Sequence, residues 1–341
     1  MNKRRVILAV AVCLVTSAVA QADAIKKIDA QVMGDVTETS SLEVTVKLRG
    51  APTKIPVNEI ETIRYSDEPA RLNTARTAIE AGRYEDAVTG LEGINLDEIK
   101  SPFIKQDAQF YTALAKARIA LVGADPDAVV EAGRLMAAFV KDHPNSYHYL
   151  EACEIVGDML VAAGKYTASQ DYYGRVANAP WPDYKMRAGV ALGRALLAEG
   201  KADEALKYFD NVLATEAAGE SAARQRLAAT LGKARCQAEA GQSDEAIKLV
   251  QEVIDKGNPE QAELYARAYN AQGLAHRKAG RTQDALLAYL HVDVLYFTSP
   301  KEHIEALENL IELWEQVQQP ERADDATQIL QERYHRSPRS K

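Results

Sequence analysis

Cysteine is scarce in this 341-residue chain, which has only Cys13, Cys153 and Cys236. A disulfide-stapled scaffold is thereby excluded, and the fold must rest on its apolar core. Glycine (19) and proline (12) are too few for a collagen-like chain or for bulk disorder. After the first 20 or so residues no apolar run is long enough to cross a bilayer. Positive charge is also in deficit, since 41 Lys and Arg stand against 49 Asp and Glu, a net charge of −8. Nucleic-acid binders usually carry a basic surface, so nucleic acid is not an expected partner. Catalytic signatures are missing as well: there is no Gly-rich phosphate loop, no G-x-S-x-G and no H-E-x-x-H. The six histidines are scattered, and His143 and His148, either side of Pro144, have no nameable metal partners. The expectation is a non-enzyme with no catalytic residue, no cofactor and no metal.

What is present begins with an address. Lys3, Arg4 and Arg5 precede an apolar stretch from Val6 to Val19, and Ala18-Val19-Ala20 is a small-x-small cleavage signal. Residues 1–20 therefore read as a signal peptide, with Ala22-Asp23-Ala24 as a second candidate cut. An uncleaved anchor is the competing reading, disfavoured because the run is short for a span. Val12 stands before Cys13 where a lipoprotein signal wants a small residue, so no lipid anchor is expected. The mature chain would be exported, periplasmic or secreted, without a membrane span, and its net charge would be −11 because the leader carries three basic residues and no acidic one.

Residues 21–66 have a period of two. Leu42 to Leu48 alternates strictly between apolar and polar side chains, and Val32–Val36, Ile55–Val57 and Ile60–Tyr65 supply further short strands around the Arg49-Gly50-Ala51-Pro52 turn. Four or five strands in so short a stretch predict a small β module, curled or SH3-like. It resembles the small N-terminal β modules of exported bacterial proteins. It serves either as a ligand-binding barrel or as a cap over the first helical repeat.

From residue 67 to 336 one unit recurs. A glycine followed five residues later by a small residue appears at Gly82/Ala87, Gly123/Ala128, Gly164/Ser169, Gly200/Ala205, Gly241/Ala246 and Gly280/Ala285. Gln318/Ala323 makes a seventh, and the first positions are spaced 36–41 residues apart. Periods of this size mean stacked helical hairpins. The glycine lets the chain leave the first helix in a left-handed conformation. Seven residues before it stands another small residue (Ala75, Gly157, Gly193, Ala234, Gly273), where the second helix packs closely. Cys153 and Cys236 fall two repeats apart and read as small buried apolar residues, not as a disulfide.

Leu192-Gly193…Gly200…Ala205…Phe209 and Gln272-Gly273…Gly280…Ala285…Tyr289 carry a pattern that resembles the tetratricopeptide repeat (TPR). The resemblance runs from residue 68 to about 335. The run Phe139-x3-His143-Pro144-Asn145-Ser146 also looks like the repeat junction of periplasmic TPR proteins of envelope assembly and the Tol system. The expected fold is mostly α: a TPR-like α-solenoid of six to seven helical hairpins behind the small β module, with residues 337–341 a disordered basic tail.

The resemblance implies a concave groove lined by the first helix of each hairpin. One groove position then follows each recurring small residue, at Arg76, Lys116, Asp158, Arg194, Arg235 and Leu274. Arg187, Arg267 and Arg277 are expected to point the same way. Such a groove would take an acidic peptide segment, a C-terminal carboxylate or an anionic glycan, because the guanidinium fork holds carboxylates bidentately. The competing reading pairs these arginines with glutamates of neighbouring repeats, at about 0–1 kcal/mol each. Glu305, Glu308, Glu312 and Glu315 share one helix face. That face is either a solvated end cap or a self-association surface that enters the groove of a second copy and makes a homodimer. Trp181, between Pro180 and Pro182, is a candidate aromatic anchor for a partner, or packs over a helix end. Trp314 and Tyr172-Tyr173 are expected to pack. The function these features imply is an exported TPR scaffold, non-catalytic, mediating protein–protein interactions in the periplasm or cell envelope. The alternative is a binding protein associated with the cell wall or an anionic glycan.

Overall fold

The computed structural model describes residues 22–123 and 125–338. The signal segment and the last three residues of the basic tail lie outside the described residues.

Five strands come first: β1 (Asp23–Lys27), β2 (Gln31–Thr39), β3 (Glu43–Leu48), β4 (Ala51–Pro56) and β5 (Ile60–Arg64). They form one antiparallel sheet in the order β4-β3-β2-β1-β5. Residues 31–34 of β2 pair with β1 and residues 35–39 with β3, with a register shift between Val36 and Glu38. One strand shared between two halves lets a small sheet curl. Gly34 sits where the halves meet, and a Cβ there would stand 2.6 Å from Leu48 Cδ2 and 2.8 Å from the Lys47 carbonyl oxygen. The period-two run buries Val44 and Val46 completely beside Ile25 and Ile63, and turns Lys47 to solvent.

Fourteen helices follow among the described residues, as seven hairpins. They are α1 (Ala70–Glu80) with α2 (Tyr84–Glu92), α3 (Pro102–Val122) with α4 (Pro126–Asp142), and α5 (Tyr149–Ala162) with α6 (Tyr166–Ala177). Then come α7 (Pro182–Ala198) with α8 (Ala202–Ala214), α9 (Glu220–Glu239) with α10 (Ser243–Lys256), α11 (Ala262–Lys278) with α12 (Thr282–Leu295), and α13 (Pro300–Gln316) with α14 (Pro320–Tyr334). The TPR-like solenoid expected from the repeat is the fold observed.

Gly82, Gly164, Gly200, Gly241 and Gly280 do end their helices in the left-handed region, with φ between 71° and 83°, and Gln318 takes the same place at φ 60°. Each of these turns closes with a hydrogen bond five residues back, such as Lys201 N–H to the Leu196 carbonyl at 2.8 Å. Gly123 departs from the expectation: it is extended, with φ −65° and ψ 170°. This turn is restarted differently, by the Asp125 carboxylate capping Asp127 N–H and by Pro126 opening α4. Ala128 is accordingly only half-buried, and Val129 and Ala132 carry the packed face.

The small residues meet aromatic rings. A Cβ added at Gly157, Gly193 or Gly273 would stand 2.4, 2.6 or 2.6 Å from Tyr173, Phe209 or Tyr289 of the facing helix. Only glycine lets those rings in, and all three rings are almost fully buried.

The β module does not stand apart. Ile25, Val44 and Ile63 belong to one continuous core with Leu72, Phe110, Phe139 and Val156. At the other end the solenoid comes round on itself: α13 touches α3, and Val122 packs against the C-terminal core. The first helices of the hairpins therefore face a confined inner surface. Cys153 and Cys236 are buried free thiols.

Candidate binding groove

Part of the inner surface lies between hairpins four and seven. There α7, α9, α11 and α13 enclose a cavity of about 250 Å³. Arg194, Arg235, Arg267, Lys301, Glu302 and Glu305 supply its polar wall. Leu197, Ala198, Leu231 and Leu274 supply its apolar wall. Arg187 and Arg194 lie two helical turns apart on one face of α7. Lys301, Glu305 and Glu312 form the matching face of α13.

Most of the predicted groove bases are already engaged within the chain. Arg235 donates to Glu305 at 2.6 Å and Arg267 to Glu302 at 3.2 Å. Arg277 binds Glu312 and also donates to Asn309 at 2.6 Å. Arg187 binds Glu154, whose carboxyl burial pushes up in spite of that partner. Lys116 lies 3.3 Å from Glu92. Arg194 differs, because among the described residues no carboxylate comes within ion-pair distance of it. Its favourable charges, Asp158 first, act from farther away against the cost of burial. Asp158 itself accepts a hydrogen bond from Tyr173 at 2.8 Å.

Arg76 is not a groove residue. It is 4% exposed and holds Glu68 through two bonds of 2.7 and 2.9 Å and Asp107 at 2.7 Å. The position next to the small residue points inward here as elsewhere, but the β module covers it, and Glu68 on the segment leaving β5 reaches it. Asp107 also accepts from His148 Nε2 at 3.2 Å, and His148 stacks on Phe110 with ring centres 3.8 Å apart. Burial alone would lower the pKa of His148. The charge of Asp107, its hydrogen bond and Glu151 outweigh that and raise it. The Tyr147 hydroxyl, buried at the same place, is held well above its usual range by burial and then by Asp107. The network fastens the β module to the first three hairpins. Asp23 adds to it by accepting from Val36 N–H at 2.9 Å and Ser66 N–H at 2.8 Å.

The acidic face of α13 is also turned inward. Glu305 and Glu312 pair with Arg235 and Arg277 of the same chain, and Glu308 is buried. Glu305 and Glu312 of the expected self-association face are thus engaged within the chain. Glu315 alone of the four is exposed. Trp181 is a packing residue, not a free anchor: it caps α7, lies edge-on to Tyr184 at 5.0 Å and rests on the N-terminal core. Trp314 packs on the C-terminal core beneath Arg322, whose guanidinium lies 4.9 Å from the ring centre. Tyr173 is buried. Among the described residues no group of three or more His, Cys, Asp and Glu is arranged to hold a metal ion, and no helix is long and apolar enough to cross a membrane.

Sequence reasoning missed Lys301, which follows Pro300 in the first turn of α13. The available signal was the helical phase of Glu305 and Glu312, extended one turn further back.

Residues 196–268 match the family model described as tetratricopeptide repeat. No curated protein matches the chain. Among solved structures, a tetratricopeptide repeat protein from Parabacteroides merdae ATCC 43184 is similar, with 14% identity and a TM-score of 0.51, covering 76% of this chain and 90% of that one. A Rap protein complexed with Competence and Sporulation Factor is similar at 12% identity and a TM-score of 0.53, covering 76% of this chain and 72% of that one. The family match over residues 196–268 and the shared architecture support a TPR-like fold.

Proposed function

We propose that this chain is an exported, non-catalytic scaffold that holds partner proteins by acidic segments entering its inner groove. The observation that carries the reading is the cavity between α7, α9, α11 and α13, where cationic and aliphatic side chains share one concave wall. Its size suits a few residues of peptide and not a folded domain. The Rap protein of the same architecture was solved with a bound factor, which favours a binding role for a solenoid of this shape.

Export is supported by the leader of residues 1–20, and the β module favours the first of its two cuts. Asp23 anchors Val36 and Ser66, and Ala24 pairs with Met33 and Arg64, so cleavage after Ala24 would remove both. Fractionation of cells and N-terminal sequencing of the mature protein should find Gln21 first, outside the cytoplasm.

The binding reading is tested with a photo-crosslinking residue placed at Leu197 or Leu231 in intact cells, and at exposed Glu252 of α10 as control. One or two proteins captured from the inner positions alone support it. Capture of cell-wall glycan in their place, or of nothing, overturns it in favour of the glycan reading or of neither.

A further inference from the structure

The second helices of the hairpins turn one face to solvent, and the polarity of that face breaks at α12. Counted from the residue at the hairpin turn, the seventh position is Asp171 in α6, Lys207 in α8, Lys248 in α10 and Asp325 in α14. In α12 it is Leu287. The fourteenth position is Asn178, Ala214, Asp255 and Glu332 in those hairpins, and Val294 in α12. All of these positions are exposed, and only α12 fills them with large apolar side chains.

Leu287, Val294 and Leu295 are 59, 62 and 58% exposed, and Phe297, just past the helix, is exposed too. Leu287 and Val294 stand two turns apart on one face, with half-buried Leu290 and His291 between them. The opposite face is no less apolar, since Ala285, Leu286, Tyr289 and Val292 lie in the C-terminal core. A helix that is apolar all round belongs in an environment that covers both sides. This chain covers α12 on one side only. The rings along its outer edge are already fixed: Tyr269 stacks on His291 and Tyr296 with ring centres 4.4 and 5.7 Å away, and His291 donates through Nδ1 to the Leu287 carbonyl at 2.7 Å.

The face also carries its own complement. Asp284 stands in the first turn of α12. At the other end Arg333 of α14 lies with its guanidinium 5.0 Å from the Phe297 ring centre. Among the described residues Arg333 has no carboxylate within ion-pair distance. Asp284 has no lysine or arginine there either; its neighbour is His276 Nδ1 at 3.7 Å, a ring whose protonation burial disfavours. An apolar centre with an anion at one end and a cation at the other fits a second copy of itself run in the opposite direction.

We propose that α12 is a dimerisation helix: Leu287, Leu290, Val294 and Leu295 pack on the same residues of a second copy, the two helices antiparallel, with Asp284 of each copy reaching Arg333 of the other. This face is separate from the cavity, whose walls are α7, α9, α11 and α13, so the proposal stands whatever that cavity binds. A dimer made this way leaves both inner grooves open and offers two of them to one partner. A crossing of two helices buries less than the roughly 1,600 Å² of a standard interface, so dimer and monomer should exchange in the micromolar range.

The test is the mass of the mature protein by sedimentation equilibrium over a hundredfold range of micromolar concentration. The expected result is a mass that rises from monomer to dimer. Leu287→Lys and Val294→Asp give α12 the residues that α10 carries at the same positions, so both should fold, as melting curves will check, and each should weaken association tenfold or more. Lys207→Glu, on the outer face of α8, should leave it unchanged. The charged ends give a second readout, which an unspecific apolar contact would not move. Asp284→Arg and Arg333→Asp should each associate with itself at least tenfold more weakly, and the two variants mixed should form a dimer again, because both contacts between them are then of opposite sign. A monomeric mass at every concentration overturns the proposal, and so does a dimer indifferent to Leu287→Lys and Val294→Asp. Failure of the mixed variants to associate overturns the antiparallel pairing. A monomeric wild type that floats with phosphatidylglycerol vesicles, and ceases to with Leu287→Lys, assigns the face to a membrane surface and overturns the dimer.

Discussion

Glu305 of α13 accepts a hydrogen bond at 2.6 Å from Arg235 of α9, a residue 70 positions away in the chain. Nothing local to either helix asks for this bond. It follows from the curvature of the stack, which brings the last hairpin into the groove of the fifth and sixth. Both side chains keep access to water, at 33% and 24% exposure, so solvent screens the pair. Its coupling energy should be about 0.5–1 kcal/mol. Arg235→Glu should therefore lower stability measurably, and the exchange Arg235→Glu with Glu305→Arg should restore most of the loss in urea melts. Failure of the exchange to rescue would mean that α13 does not sit against α9 in solution.

The glycines separate into two kinds with different failures. Gly193 faces the Phe209 ring, and Gly193→Ala should overpack the hairpin at about 1–3 kcal/mol. Gly200 has open space where a Cβ would stand but a φ of +83°, so Gly200→Ala should cost about 1–2 kcal/mol through backbone strain alone. The distinguishing measurement is rescue. Phe209→Leu should recover part of the Gly193→Ala loss and none of the Gly200→Ala loss.

These contrasts explain what the sequence made legible. The glycine, the small residue and the aromatic ring recur at fixed spacing because each hairpin must solve the same packing problem with its own residues. The alternation of Leu42 to Leu48 is equally local. Gly123 misled because its turn is capped by Asp125 and Pro126 instead, and the repeat pattern does not register that substitution. The site was legible only in part. Arg194 and Arg235 were found by register, since facing inward is a local property of helix phase. Which arginine keeps a free charge is decided by partners such as Glu305 and Glu302, more than thirty residues away. Arg76 shows the same limit: its phase is right, and the β module closes over it.

Arg76 should matter to stability more than any groove arginine. Arg76→Met leaves Glu68 and Asp107 buried without their cation, a loss of about 3–5 kcal/mol when one partner of a buried network is removed. The first consequence should be local release of the β module. Hydrogen exchange should quicken in β1 and β5 before it does in α11 to α14. A uniform loss of protection along the chain would contradict the fastening role assigned to this network.

His148 gives that network a pH dependence of definite sign. Its pKa is raised in the folded protein, so its stabilisation is complete below the unfolded value of about 6.5 and is lost as pH rises through the folded value. His143 and His276, which burial pushes down, act with the opposite slope and below 6.5. Stability measured from pH 6.5 upward should therefore fall in the wild type. His148→Gln, which keeps a donor to Asp107 but does not titrate, should be flatter over the same range.

Lys301 supplies the reverse case. Its folded pKa of about 8 lies below the ordinary lysine value of 10.5, so between these the unfolded chain binds more protons and stability gains as pH rises. Below pH 8 the unfavourable charge is fully present. Lys301→Met should accordingly raise the melting temperature at pH 7, and the advantage should shrink from pH 8 to 10.5. Comparing variant with wild type cancels the tyrosines that titrate in the same range. A gain as large at pH 10.5 as at pH 7 would mean that the Lys301 ammonium is not held beside the Arg194 guanidinium.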